Sequence, residues 1–222
     1  MTDTQRRPRI DLDRLCSYGY TAVVADACDR VGLRDQTMSP GIAPVLGPTV
    51  LAGWVRLARS ERVEAPPAVP YAREIAFLDS LLPGDAVVAT AGGEPAALWG
   101  ELFSAAAAAR GARGAVVDGL VRDTDRVRAL GFAVHARGTR PTDSLGRVSI
   151  VDTDGPMVVA GVAVANGDLV VADSDGVVVV PAVAAEEVVS YALEKATTER
   201  KGLALLRDGA MLNDVWARYA VL

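Results

Sequence analysis

A chain of 222 residues, half of them hydrophobic, can bury a sizeable core in one domain without disulfide or metal staples. Its formal net charge of −5 argues against a nucleic-acid binder that works by neutralising phosphates, so no nucleic-acid partner is expected. The single histidine, His135, excludes a metal site built from several histidines of one chain, and excludes any Ser-His-Asp triad that does not use it.

The N-terminal residues 1–10 are polar and basic and are predicted to form a flexible segment, followed by a single domain over 11–222. No apolar segment follows the early arginine pair, so we expect no secretory leader. No run approaches the ~18 apolar residues that a membrane helix needs, so a cytoplasmic protein without a membrane partner is expected. Cys16 and Cys28 are too few for a disulfide scaffold and are predicted to be reduced, buried small hydrophobes.

The first part of the chain reads as helix, then loop, then strand. A helical pattern runs over 11–31, in one piece or in two pieces broken at Gly19, with Thr21 as the expected cap of the second piece. A loop rich in proline and glycine follows, then a strand over roughly 49–58. The segment 60–72 has the composition of a surface loop.

Helical and strand patterns alternate in the middle of the chain. One helix is predicted to end before Pro83, and a buried strand follows at 86–90. The next helix is predicted over about 97–110, where five consecutive alanines permit close packing on a sheet. A buried strand at 114–118 and a short helix at about 124–130 complete this part.

Strands dominate from residue 132 onwards. The patterns predict a strand at 132–137 and a loop over 138–156. Three closely spaced strands follow at 157–164, 168–173 and 176–181, and a long final helix runs over about 182–207. Asp173 and Asp175 flank a turn between two of these strands, which is typical of Asx turns rather than of a metal site. Early alternation and late clustering of strands predict an α/β chain with a layered sheet core.

The candidate chemistry lies in the segment from Gly100 to Asp123. Twenty residues separate Glu101 from Arg122, and a helix, a glycine turn and a strand can fill them, so both ends can return to one sheet edge. The guanidinium of Arg122 suits a carboxylate or an enolate oxygen. The Asp123 carboxylate suits Mg²⁺, which keeps several waters and accepts the two oxygens of a 2-oxo acid. The alternative is a solvated Arg-Asp surface pair.

Glu101 belongs to the first turn of the predicted helix, where the N–H groups of Leu102 and Phe103 lack intrahelical acceptors. Those N–H groups could bind a substrate carboxylate, while Glu101 acts as a base or positions a metal-bound water. The alternative is an ordinary acid at a helix start. His135, in the middle of a predicted strand, has the surroundings of a structural histidine.

Three segments resemble the RraA-like family, which unites 4-hydroxy-4-methyl-2-oxoglutarate aldolase with the regulator of ribonuclease activity A. They are GGEPAALWGELFSAAAAARGARGAVVDGLVRD at 92–123, FAVHARG at 132–138 and GVAVANGDLVVADSDGVVVVP at 161–181. Weaker agreement at 21–29 and in the C-terminal helix extends the resemblance over most of the chain. The spacing of an acid, twenty residues and an Arg-Asp pair is specific in combination with the third segment.

The resemblance implies a three-layer β/β/α sandwich of the swivelling-domain type with flanking N- and C-terminal helices, over a single domain at 11–222. It also implies a ring-shaped homotrimer, or a hexamer of two stacked rings, with the site between neighbouring subunits.

The resemblance further implies a set of site residues. Asp123 would hold a divalent metal, Mg²⁺ or Mn²⁺, largely through waters, and Arg122 would contact pyruvate and stabilise its enolate. The backbone of Gly100–Phe103 would bind the pyruvate carboxylate, with Glu101 as the matching catalytic acid. Glu199 would correspond to an acid that reaches into the adjacent subunit's site.

The implied activity is that of a class II, metal-dependent aldolase. It would cleave 4-hydroxy-4-methyl-2-oxoglutarate or 4-carboxy-4-hydroxy-2-oxoadipate to pyruvate plus pyruvate or oxaloacetate, and decarboxylate oxaloacetate through the same enolate. Two alternatives stay open: a protein-binding regulator of a ribonuclease, and a lyase of this scaffold that acts on another 2-oxo acid. The intact set of Glu101, Arg122 and Asp123 favours an enzyme, because a docking surface needs no such constellation. The segments 60–72 and 138–156 are expected to influence substrate specificity.

Overall fold

The computed structural model describes residues 7–47, 49–93 and 95–220. Residues 1–6 of the predicted flexible N-terminus therefore lie outside the described residues, as does Glu94 of the glycine loop. Residues 7–10 contact the domain: Arg7 forms an ion pair with the buried Asp85, and the backbone N–H of Arg9 donates to Glu186 over 3.2 Å.

The helices begin and end close to the predicted positions, with two differences. They are α1 (Leu12–Tyr18), α2 (Thr21–Arg30), α3 (Ala72–Asp79), α4 (Glu101–Ala109), α5 (Thr124–Leu130), α6 (Ala185–Arg207, preceded by a 3₁₀ turn at Ala182–Ala184) and α7 (Leu212–Tyr219). The first helical segment is broken at Gly19 into α1 and α2, which is one of the two predicted alternatives, and α7 was not predicted. The helix expected over 97–110 begins only at Glu101, because residues 97–99 pair with a strand and Gly100 is extended.

The predicted cap of α2 is wrong. Thr21 is the first residue of the helix, and its N–H and hydroxyl donate to the two carboxylate oxygens of Asp173 over 2.8 and 2.6 Å. Asp173 also accepts the N–H of Asp175 over 2.9 Å, which is the predicted Asx turn. A distant carboxylate thus does the capping that a local side chain was expected to do.

The strands alternate with helices early and follow one another late. They are β1 (Ala43–Leu46), β2 (Leu51–Arg62), β3 (Asp85–Thr90), β4 (Ala97–Trp99), β5 (Gly114–Val121), β6 (Ala133–Thr139), β7 (Val148–Asp152), β8 (Met157–Val159), β9 (Val162–Val164), β10 (Leu169–Ala172) and β11 (Val177–Val180). The main sheet has the order β1-β6-β5-β3-β2-β10-β11 with a parallel centre, while β4 pairs with β5 and β7 pairs with β2.

Two strand predictions need correction. The segment 138–156, predicted as a loop, contains β7, whose Ile150 is buried against the helical layer. The segment 157–164, predicted as one strand, is the β8–β9 hairpin, which turns at Ala160 and Gly161 with φ values of 46° and 88°. Both segments are short and flanked by polar or glycine residues, so their strand patterns are weak.

Alternate residues of each central strand pack into different clusters, and both faces of the sheet are buried. In β11, Val177 and Val179 join an inner cluster with residues of β2, β3, β5, β6, β10 and the hairpin, so the sheet curls around it. Val178 and Val180 instead pack beneath α1, α2 and α6. Helices α3, α4 and α5 cover the outer face over β3, β5 and β6. The predicted three-layer β/β/α architecture with flanking terminal helices is confirmed.

His135 and Cys28 are buried in the fold. His135 is fully buried in β6, with its Nε2 atom 3.1 Å from the Thr49 carbonyl oxygen. Burial lowers the pKa of its imidazole, against smaller opposing effects of Thr49 and Asp173. Cys28 is buried and free, as predicted; Cys16 is also free but only half-buried, so its predicted burial is wrong. Among the described residues, none of the helices combines the length and apolarity that a membrane span requires.

We expect the free energy of unfolding to decrease as pH falls below about 6.5, the ordinary pKa of histidine. There the unfolded chain binds a proton that the folded chain excludes from His135, so stability changes by at most about 1.4 kcal/mol per pH unit. Urea titrations from about pH 5 to about pH 7.5 measure this slope. The variant His135→Gln keeps every carboxylate contribution and should show a smaller slope; equal slopes would contradict the prediction.

Candidate active site

A cavity of about 350 Å³ opens at the sheet edge where β5 ends and α4 begins. Its walls come from α3, β4, α4, the β5–α5 connection and the loop before β7. The structure brings all six predicted site residues to this cavity: Gly100, Glu101, Leu102, Phe103, Arg122 and Asp123.

Parallel pairing of two strands explains why the ends of the segment meet. Ala97 of β4 lies opposite Leu120 of β5, and the N–H of Arg122 donates to the Trp99 carbonyl over 2.9 Å. Parallel strands end at the same edge, so Gly100 and Arg122 leave the sheet side by side. The sequence predicts that both ends of the segment 100–123 return to one sheet edge. The strand responsible for this is β4, which the sequence pattern did not predict.

Gly100 is needed for the close approach between this turn and the Arg-Asp pair. A Cβ at this position would lie 2.6 Å from Oδ2 of Asp123 and 3.2 Å from Cγ of Arg122. The buried Ser104 hydroxyl donates to the Gly100 carbonyl over 2.9 Å and accepts from the Trp99 indole over 2.8 Å. These bonds fix the first turn of α4 against the sheet edge.

Asp123 has a left-handed backbone conformation, with a φ of 58°. Its Oδ2 atom accepts the N–H of Glu101 over 3.2 Å and lies 3.6 Å from Nε of Arg122. Both contacts use Oδ2, so within the described part of the chain Oδ1 keeps its lone pairs for a ligand. The carboxylate sits at the positive end of α4, where the helix dipole favours an anion.

Asp143, which sequence reasoning missed, holds the Arg122 guanidinium from the other side. Its Oδ1 lies 3.1 Å from a terminal nitrogen of Arg122 and accepts the Ser144 N–H over 2.8 Å. Its Oδ2 accepts the Tyr71 hydroxyl over 2.6 Å. Burial acts to raise the pKa of Asp143, but the Tyr71 hydrogen bond and the Arg122 charge outweigh it and lower the pKa.

Tyr71, also missed, is a strained residue at the start of α3. Its φ of 58° lies in the left-handed region, which costs a non-glycine residue about 1 kcal/mol or more. Burial, together with the Asp143 carboxylate, raises the pKa of Tyr71 to about 12, so its hydroxyl remains a donor at neutral pH. No local motif marks Tyr71 or Asp143; each stands in a segment predicted only as a loop.

Glu101 lies at the mouth of the cavity, with about a third of its side chain exposed and Oε2 3.8 Å from Nε of Arg126. Leu102 is 80% exposed. Glu199 and His135 do not line the cavity. Glu199 accepts the Tyr20 hydroxyl on the α2–α6 side of the sheet, and burial and Glu199 raise the pKa of Tyr20.

The donor set can be tested against a divalent metal. No group of three or more His, Cys, Asp or Glu side chains that could enclose a metal is found among the described residues. One carboxylate with a free oxygen beside an open cavity still fits Mg²⁺ or Mn²⁺, because such ions keep waters and accept substrate oxygens. Asp123 meets this requirement, whereas both oxygens of Asp143 already have partners.

Comparison with known proteins identifies the family of this chain. The family model described as RraA-like (Aldolase/RraA) matches residues 21–179. A candidate 4-hydroxy-4-methyl-2-oxoglutarate aldolase of Halalkalibacterium halodurans is 34% identical over 130 residues, which is 58% of this chain and 61% of the relative. The chain thus spans less than two thirds of that relative's length.

Two crystal structures extend the likeness over nearly the whole chain. A Pseudomonas syringae protein is 29% identical with a TM-score of 0.79, over 92% of this chain and 95% of that one. Streptomyces coelicolor RraAS2, described as an unusual member of the RNase ES inhibitor RraA family, is 28% identical with a TM-score of 0.76, over 91% and 100%. The chain therefore belongs to the RraA-like (Aldolase/RraA) family, as its sequence segments predicted.

Proposed function

We propose that this protein is a divalent-metal-dependent lyase that releases pyruvate from 4-hydroxy-2-oxo acids. The observation that carries the proposal is the convergence of Arg122, Asp123 and the first turn of α4 on one cavity. The name of the Halalkalibacterium relative supports 4-hydroxy-4-methyl-2-oxoglutarate as a substrate to test, with 4-carboxy-4-hydroxy-2-oxoadipate beside it. Oxaloacetate decarboxylation passes through the same enolate and is proposed as a second activity.

Each residue of the site has a separate role in the proposed reaction. The N–H groups of Leu102 and Phe103 in the first turn of α4 bind the substrate carboxylate. Arg122 donates to the 2-oxo oxygen as negative charge develops there, and Asp143 holds the guanidinium in place. Asp123 would hold the Mg²⁺ or Mn²⁺ ion, which when bound polarises the 2-oxo group as a Lewis acid. Glu101 takes the proton of the C4 hydroxyl, directly or through a water.

The assembly belongs to the same proposal. The family resemblance supports a cytoplasmic homotrimer, or a hexamer of stacked rings. Light scattering on the purified protein measures the mass directly, and a monomer at working concentration would contradict this part.

Exchange of the pyruvate methyl protons for deuterium tests the enolate chemistry without regard to the rest of the substrate. We expect exchange with Mg²⁺ and none with excess chelator, together with metal-dependent pyruvate release from oxaloacetate in a coupled assay. No exchange at saturating pyruvate, in protein shown to be folded, would contradict the proposed function.

A second candidate function is inhibition of a ribonuclease by docking. RraAS2, an unusual member of the RNase ES inhibitor RraA family, is covered over its entire length by this chain. Cleavage of an RNA substrate by a purified ribonuclease of this type, with and without the protein, tests it. Inhibition that persists with chelator and in Arg122→Ala would favour the regulator.

Tyr71 is a positioning residue, because it acts on Arg122 through Asp143. The variant Tyr71→Phe removes one hydrogen bond to a charged group and is expected to lower kcat about tenfold with little change in KM. Without that donor the pKa of Asp143 rises, so the acid limb of the pH–rate profile should move to higher pH.

Tyr18→Phe is the control for Tyr71→Phe. It also removes a tyrosine hydroxyl, but from an exposed residue of α1 that does not line the cavity, so activity should stay unchanged. An unmoved acid limb in Tyr71→Phe would show that Tyr71 serves only the fold.

A further inference from the structure

Ser104 places a buried hydroxyl in the alanine-rich helix α4. It stands directly before five consecutive alanines, and its side chain is fully buried. Serine is not favoured inside a helix, because its hydroxyl competes with the backbone for hydrogen bonds. The two groups that this hydroxyl contacts, the Trp99 indole and the Gly100 carbonyl, therefore indicate what it does.

The Trp99 indole fixes the direction of the Ser104 hydroxyl. Its ring packs edge-on against Phe103, with centroids 5.7 Å apart, and stacks on Phe132 at 6.3 Å, so it is held on two sides. An indole N–H can only donate, and over 2.8 Å it occupies a lone pair of the Ser104 oxygen. The hydroxyl proton is then directed to the Gly100 carbonyl oxygen, 2.9 Å away.

One peptide unit carries this orientation to Asp123. The Gly100 carbonyl accepts both the hydroxyl and the N–H of Ser104, the latter over 3.0 Å. The Glu101 N–H belongs to the same planar trans peptide and points the opposite way. It donates to Oδ2 of Asp123 over 3.2 Å. Fixing the carbonyl therefore also fixes the donor that holds the carboxylate.

This N–H is important for the carboxylate because little else holds it. Within the described part of the chain, it is the only hydrogen-bond donor to Asp123, since Nε of Arg122 lies 3.6 Å from the same oxygen. The bonds between Trp99, Ser104 and the Gly100 carbonyl are buried inside one chain, so solvent does not compete for them.

We propose that Ser104 and Trp99 are positioning residues for the metal ligand Asp123. Acting through the peptide between Gly100 and Glu101, they keep the Asp123 carboxylate in one orientation, with Oδ1 left for the divalent ion. The inference rests on the proposed lyase function and names the residues that set its metal affinity.

The variant Ser104→Ala tests this on the full-length protein. Loss of a group that holds a metal ligand in place typically weakens metal binding about 10- to 100-fold. We expect the Kd for Mn²⁺, measured by calorimetry without substrate, to rise at least about tenfold. The Mg²⁺ concentration that gives half-maximal pyruvate release from oxaloacetate should rise by the same factor. At saturating Mg²⁺, kcat should stay within about threefold of the native value.

Trp99→Phe is the second variant, and it keeps the inference testable if Ser104→Ala does not fold. It leaves a ring between Phe103 and Phe132 but removes the indole donor, so the Ser104 hydroxyl is free to turn away from Gly100. The Kd for Mn²⁺ should rise in this variant also.

Two controls separate positioning from loss of stability. Ser17→Ala removes the same kind of bond, a serine hydroxyl donating to the carbonyl four residues earlier, from an exposed residue of α1. Val179→Ala truncates a buried side chain of β11 in the inner cluster and lowers the melting temperature. Both should bind Mn²⁺ like the native protein.

The outcomes separate this inference from the function on which it rests. A raised Kd with kcat restored at high Mg²⁺ supports it. Native Mn²⁺ affinity in Ser104→Ala or in Trp99→Phe, or a loss of kcat in Ser104→Ala that saturating Mg²⁺ does not restore, overturns it. Metal-dependent deuterium exchange of pyruvate by the native protein then keeps the lyase. Absence of that exchange overturns the proposed function itself.

Discussion

The variant Arg122→Ala is expected to lower kcat/KM for pyruvate release by about 10²- to 10³-fold, equivalent to roughly 3–4 kcal/mol of transition-state stabilisation. Arg122 is the only cationic side chain among the described residues that line the cavity, so no other side chain there replaces it where enolate charge develops. Its loss also leaves Asp143 without the guanidinium that lies 3.1 Å from its carboxylate.

The measurement is steady-state kinetics beside a thermal melt. The side chain is about a third exposed, so the fold should persist. Arg128→Ala, which removes an exposed arginine paired with Asp125 on α5, is the matched control and should retain full activity. Activity of Arg122→Ala within about threefold of the native rate, about 0.7 kcal/mol, would remove Arg122 from the proposed mechanism.

The second large effect is expected from Asp123→Asn, with a loss of about 10²-fold or more in kcat/KM. Asparagine tolerates the φ of 58° that alanine would adopt only with strain, and its carbonyl can still accept the Glu101 N–H. The change therefore removes the charge and leaves the turn in place.

Calorimetric titration with Mg²⁺ or Mn²⁺ separates the two contributions of Asp123. We expect weaker metal binding in the variant and an unchanged melting temperature. Asp125→Asn, two residues later and exposed, is the control and should bind metal like the native protein. Native metal affinity in Asp123→Asn would show that the ion is held elsewhere.

The strands and helices in the middle of the chain could be predicted because apolar runs and glycine turns within each segment determine them. The strands β3 and β5 are short apolar runs bounded by glycine turns, α5 lies at its predicted position, and α4 ends within one residue of its predicted end. Residues 97–99 were assigned to a helix because Ala-Leu-Trp continues an alanine-rich pattern, whereas pairing with β5 makes them a strand. Tertiary pairing here overrides propensity.

Part of the candidate site could also be predicted from the sequence and part could not. Arg122 and Asp123 follow one strand and Gly100 follows the strand beside it, so their proximity could be predicted. Asp143 contacts Arg122, and Tyr71 contacts Asp143, only because their loops return to the same edge of the sheet. No residue spacing in the sequence predicts this. Their contribution becomes visible in the bond distances and in the backbone strain at Tyr71.

The curled sheet also constrains the order in which the chain can fold during translation. Its inner cluster joins residues as distant as Leu51 and Val179, so the hydrophobic interior cannot close until β11 has been synthesised. Contacts of such long sequence separation are typical of domains that fold in milliseconds to seconds rather than microseconds. During translation the earlier strands therefore keep their valine-rich faces exposed until β11 emerges, and such surfaces favour aggregation.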